Sequence, residues 1–165
     1  MENLIYLKEN CLNKENITFI LNVLNKENNK LILFYNDNFL FIDNDYNRIK
    51  KILKNILLLN IKDYSDYLYK INFYNLENYK FNFDDLKLVY IIISNNNYKD
   101  NTFILNDTSV YSMLNFIFCL EDLQIQFLEK YYNYKTGDLI IFPDGWTFYY
   151  KIENNKHFIF GKFFI

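Results

Sequence analysis

The chain has 165 residues, 51% of them hydrophobic and 21% aromatic, with a formal net charge of −2. That length suits one domain able to bury about two-thirds of its unfolded surface, and the apolar content excludes a disordered chain despite the many asparagines. The acidic balance excludes a general electrostatic attraction to nucleic acid or to an anionic membrane.

The opening stretch MENLIYLKEN meets charge within two residues and lacks the apolar core of a signal peptide. No later run is long enough to span a bilayer, so a soluble protein is expected. Leu4 to Leu7 reads as a short strand. Cys11, which follows it, and Cys119 are isolated, without CxxC spacing, and are expected to be buried thiols of a protein from a reducing compartment. Asn13 is a candidate N-cap for an amphipathic helix that carries Ile17, Ile20, Leu21 and Leu24 on one face. The segment 31–43 alternates around Asn36-Asp37-Asn38 and predicts a hairpin. A second helix follows, with Ile49, Ile52, Leu53, Ile56 and Leu57 as its apolar face. Its Arg48, Lys50, Lys51 and Lys54 read as a solvated face rather than a nucleic-acid patch.

From about Tyr67 the pattern changes to short β-rich runs: YLYKINFY, YKFNF, KLVYIII, NTFIL, SVYSMLNFIF, LQIQFLE, DLIIF, WTFYYKI and HFIFGKFFI. Helices first and strands afterwards argue against an alternating α/β sheet. The expected architecture is α+β and mainly β, a double sheet or jelly roll over about 67–165 supported by helices over about 1–66, within one domain.

The densest local signal is KTGDLIIFPDGW. The chain has three glycines and one proline, yet Gly137, Pro143 and Gly145 crowd together here. Gly137 can supply a positive φ at the turn entering Asp138–Phe142, and Pro143-Asp144-Gly145 predicts a tight reversal into Trp146. The scarcity itself has a simple origin. Alanine is absent and Arg48 is the sole arginine, while Asn, Lys, Ile, Tyr and Phe dominate. These are residues spelled by AT-rich codons, so the composition points to an AT-rich genome such as that of a virus, an organelle or a reduced intracellular organism.

GDLIIFPDGW resembles the C-terminal motif of the prolyl 4-hydroxylase-like branch of the 2-oxoglutarate (2OG) and iron(II)-dependent dioxygenases. Tyr74, Tyr79 and Asp84 resemble an upstream motif of the same family, with Asn82 where its first histidine stands, and KLVYIIISNNNYKDNTFIL looks like its central strand-loop-strand. The resemblance runs in order along nearly the whole chain. It implies a double-stranded β-helix with N-terminal supporting helices, in which two histidines and a carboxylate hold iron and a basic residue takes the distal carboxylate of 2OG.

Carried onto this chain, the first histidine falls on Asn82, the carboxylate on Asp84, the second histidine on Phe148 and the basic residue on His157. Only the carboxylate keeps its type. An amide oxygen at Asn82 is a much weaker donor than imidazole, Phe148 offers none, and a lone carboxylate does not hold iron(II) against water. His157 is the only histidine in the chain, so no arrangement of it supplies two imidazoles. The plain accounts are an aromatic plug for Phe148, a turn or cap for Asp84, and a hydrogen-bonded imidazole for His157. Trp146, Tyr149 and Tyr150 read as sheet residues, or as a partner surface if exposed together.

The expectation is therefore an inactive relative, without iron(II) or 2OG, that serves as a structural or protein-binding module. One alternative is an active oxygenase built around Asp84, Asn82 and His157. The other is a single-strand nucleic-acid platform on the aromatic sheet, which the scarcity of arginine disfavours.

Overall fold

A computed structural model describes residues 4–26, 30–34, 44–70, 87–95, 114–143, 150–153 and 156–164. Eleven elements follow in order: β1 (Tyr6–Lys8), α1 (Lys14–Lys26), β2 (Lys30–Phe34), α2 (Asn44–Lys70), β3 (Lys87–Asn95), β4 (Leu114–Cys119), β5 (Leu123–Phe127), β6 (Lys130–Tyr134), β7 (Leu139–Pro143), β8 (Tyr150–Ile152) and β9 (His157–Phe164). The strands form a major sheet in the order β1-β7-β4-β9-β3-β2 and a minor sheet in the order β6-β5-β8, with every pair antiparallel. The mainly β architecture with supporting helices is as expected.

Successive side chains of a strand point to opposite faces, and the two faces of the major sheet build two different cores. Phe116, Phe118, Leu139, Ile141 and Ile159 pack with Ile17, Ile20, Leu24, Ile49, Leu53, Leu57 and Ile61 of the helices. Ile117, Cys119, Ile140, Phe142, Phe158 and Phe160 pack instead against Ile125, Phe127 and Ile152 of the minor sheet. Strands covered on both faces read as nearly continuous apolar runs, as in LIIFP and in LNFIFC, where Asn115 is the one polar residue. In β5 the outer face is less covered, and its sequence LQIQF alternates accordingly. Phe127 meets Phe142 edge to face at 5.0 Å between ring centres, a direct contact across the two sheets.

The helices follow from capping and spacing. Asn13 Oδ1 accepts the Asn16 amide at 2.8 Å, the expected N-cap. Ile17, Ile20, Val23 and Leu24 are buried, so Val23 takes the place expected for Leu21, which packs at the margin. In α2, Ile49, Leu53 and Leu57 are buried as expected, and Ile52 and Ile56 lie at the edge of the same stripe. The helix then runs further than its sequence suggests. Tyr67 to Lys70 are helical rather than the start of a strand, because Ile61, Tyr64 and Tyr67 continue the buried stripe past the aliphatic run. Lys51 and Lys54 are exposed, and the Arg48 guanidinium lies 4.1 Å from the centre of the Phe19 ring. Among the described residues no helix is long and apolar enough to cross a membrane.

Two further differences concern strands. Of the expected hairpin at 31–43, β2 is present and pairs with β3; its turn at Asn36-Asp37-Asn38 lies outside the described residues. Strand β6 was not expected. Its sequence KYYNY lacks an aliphatic alternation, yet it pairs with β5 from Phe127–Lys130 to Leu123–Tyr134. Leu128, first in the two-residue turn that joins them, has φ +55°, whereas Glu129, the second, does not have positive φ. A turn of that kind favours glycine at this position. Leu128→Gly is therefore expected to stabilise the protein by about 1 kcal/mol, read as a shift in the midpoint of urea unfolding.

Candidate functional site

Gly137 and Asp138 stand at the junction of the N-terminal segment, the end of β4 and the start of β7. Gly137 has φ +91°, as its turn position predicts. Its carbonyl accepts the amides of Cys11 at 2.8 Å and Leu12 at 3.1 Å, and its own amide donates to the Cys119 carbonyl at 2.8 Å. Asp138 is the one buried charged residue among those described. Its Oδ1 accepts the Asn10 amide at 3.1 Å and its Oδ2 accepts the Lys135 amide at 2.9 Å, while its carbonyl accepts the Cys119 amide at 2.9 Å. From the other side, Asn60 of α2 accepts the Tyr6 hydroxyl at 3.1 Å, and the Tyr64 hydroxyl donates to the Leu4 carbonyl at 2.6 Å. The first part of KTGDLIIFPDGW is thus a clamp that fastens residues 4–12 between the sheet and α2.

Both cysteines adjoin this clamp without forming a reactive pair. Cys119 is buried and Cys11 half-buried, and both are free thiols. Burial pushes the Cys11 thiol up to about 11, with Lys8 lowering and Asp138 raising it further. Burial first and Asp138 second push Cys119 up as well. Neither supplies a thiolate near neutral pH.

His157 opens β9, opposite Asn95 of β3. Its Nδ1 lies 2.6 Å from Glu121 Oε2, its amide donates to the same oxygen at 3.1 Å, and its carbonyl accepts the Leu120 amide at 3.2 Å. Lys156 Nζ lies 3.5 Å from Glu121 Oε1. Partial burial pushes the Glu121 carboxyl up, but the bonds from His157 and the charges of His157 and Lys156 outweigh it and hold the group below its ordinary value. His157 shares its parity along β9 with Ile159, which packs on the helices, whereas Phe158 and Phe160 face the minor sheet. The imidazole is thus oriented by a carboxylate on the helix side of the strand, outside the space between the sheets.

Of the other positions singled out in the sequence, Asn82, Asp84, Trp146, Phe148 and Tyr149 lie outside the described residues. Tyr150 begins β8, opposite Phe127. Neither Glu121 nor Asp138 is among the positions singled out in the sequence. The signal for Asp138 was an acid inside an otherwise apolar run directly after the turn glycine.

The iron and 2OG implied by the resemblance need converging imidazole and carboxylate donors and a cation for the distal carboxylate. The residues do not fit that demand. The chain holds one imidazole where two are needed, and among the described residues no group of three or more His, Cys, Asp or Glu side chains converges as a metal site. Glu121 engages the Nδ1 side of His157 only. Backbone register does place one basic residue, Lys162, opposite Asn115 of β4 and Tyr90 of β3.

No protein-family model matches the chain, and no curated protein matches its sequence. Solved structures do match. The viral collagen prolyl hydroxylase of Paramecium bursaria Chlorella virus-1, in its 2OG complex, superposes with a TM-score of 0.53 at 9% identity, over 97% of this chain and 94% of that one. A prolyl-4-hydroxylase from Pseudomonas putida gives 0.53 at 10% identity, over 97% and 91%. The fold is therefore that of the prolyl hydroxylases, a jelly roll with supporting helices. At such identities the likeness extends to the fold and no further.

Proposed function

We propose that this chain is a prolyl-hydroxylase-fold protein without oxygenase activity, kept as a structural or protein-binding module. The observation that carries the reading is the fate of its single histidine. A 2OG oxygenase of this class needs two imidazoles on iron, and the only one here is tied to Glu121 on the helix side of β9. Asn82 and Phe148, the positions matched to the two ligand histidines, carry an amide and a hydrocarbon ring. What the molecule keeps is scaffold: the Gly137–Asp138 clamp, the two packed cores and the helices packed on the major sheet. A role as a subunit of a viral or organellar assembly agrees with the AT-rich spelling of the sequence.

The reading predicts no conversion of 2OG to succinate above the protein-free rate, with or without peptidyl-proline substrates. Turnover with iron(II) that disappears in Asp84→Ala would instead support an oxygenase with a non-standard site.

A further inference from the structure

Among the described residues, strand β6 lies at one end of the minor sheet and pairs with β5 alone. Native edge strands are usually blunted by short length, charged residues such as lysine, proline, a bulge or covering. β6 carries its one lysine, Lys130, at the turn end, has no proline, and its register with β5 runs without a shift. Four large apolar side chains are exposed among the described residues, and two of them belong to this one hairpin: Leu128 at its tip and Tyr131, 63% exposed, on the strand. Phe127 and Lys130 close the two-residue turn as a hydrogen-bonded pair. Alternation along the ladder then turns the backbone N–H and C=O of Tyr131 and Asn133 away from β5.

We propose that β6 is the seam of a twofold dimer, laid antiparallel against β6 of a second copy of this chain and centred on Tyr132. In that register Tyr131 and Asn133 of the second copy exchange both backbone hydrogen bonds, and the symmetry repeats the exchange on the other side of the axis. Tyr132 meets its own counterpart at a non-hydrogen-bonded position, where side chains approach most closely. Charge favours a second copy over an unrelated strand. The same register sets Glu129 against Lys135 at both ends of the seam, and both side chains are exposed. The pairing of Lys135 with Asp122, 3.6 Å apart at the surface, is too weak to withhold it. The inference does not depend on the loss of iron chemistry, since the seam lies on the minor sheet and away from His157.

Sedimentation of the full chain over a concentration series tests it, with a reversible monomer–dimer equilibrium as the expected result. Asn133→Pro removes an N–H aimed at the second copy and no backbone bond to β5, losing toward β5 only the exposed side-chain bond from Gln124 Nε2 to Asn133 Oδ1 at 3.1 Å, so it shifts the protein to monomer. Glu129→Lys weakens the dimer by about tenfold, and mixing that variant with Lys135→Glu restores it, because only the mixed dimer places opposite charges across the seam. The two charge variants lie on the surface and carry the test alone if Asn133→Pro does not fold. A monomer at every concentration, or a dimer indifferent to these variants, overturns the proposal.

Discussion

Gly137→Ala is expected to destabilise the protein by about 3 kcal/mol, from the cost of positive φ for a residue with a side chain plus an overpacked contact. The contact is specific. A Cβ built at Gly137 would sit 2.8 Å from the Leu12 carbonyl oxygen, a backbone atom, with Asn10 Oδ1 at 3.6 Å. Retreat is difficult, because Leu12 and Cys11 are themselves bonded to the Gly137 carbonyl. Movement that relieves the clash breaks those bonds and loosens the segment that carries β1. Thermal unfolding followed by circular dichroism should show a Tm lower by ~10 °C. A change of less than about 1 kcal/mol would mean that the N-terminal segment is not held as described.

Asp138→Ala should cost a similar amount, about 3 kcal/mol, for a different reason. It leaves the amides of Asn10 and Lys135 without their carboxylate acceptor in a part-buried site. Asp138→Asn distinguishes charge from shape. A carboxylate offers an acceptor to each amide, whereas a carboxamide must turn its NH2 toward one of them, so the near-isosteric change should recover little of the loss. Hydrogen exchange gives the local readout: the amides of Asn10, Cys11, Leu12 and Lys135 should exchange faster in both variants, before the helices do. If they exchange at the wild-type rate, Asp138 is not the clamp.

How much of this was legible in the sequence depended on whether the governing contacts were local. Asn13 caps a helix three residues away, and the stripes of α1 and α2 repeat within a few turns, so both helices could be read. The runs of β4, β7 and β9 are apolar enough to be recognised as strands. Strand β6 escaped because tyrosine, asparagine and lysine on a sheet edge look like a polar turn, and only its partner β5 makes it a strand.

The candidate site was less legible, again for a physical reason. Asp138 takes one of its donors from Asn10, 128 residues away, and nothing near the GDL stretch announces that partner. For His157 the difficulty was parity. A shift of one position along β9 exchanges the face toward the helices for the face toward the minor sheet, and the sequence HFIFGKFF, apolar on both faces, does not say which is which. The pairing with Ile159 and Phe158 on either side decides it.

The proposed loss of a ferrous 2OG centre is tested more directly by binding than by turnover. Purified protein is titrated anaerobically with iron(II) in the presence of 2OG, following the charge-transfer absorption of the ternary complex and the Tm together. The account predicts no saturable absorption and no metal-dependent rise in Tm, since a ligand that binds the native state must stabilise it. Stoichiometric binding with thermal stabilisation, lost in Asp84→Ala, would contradict it.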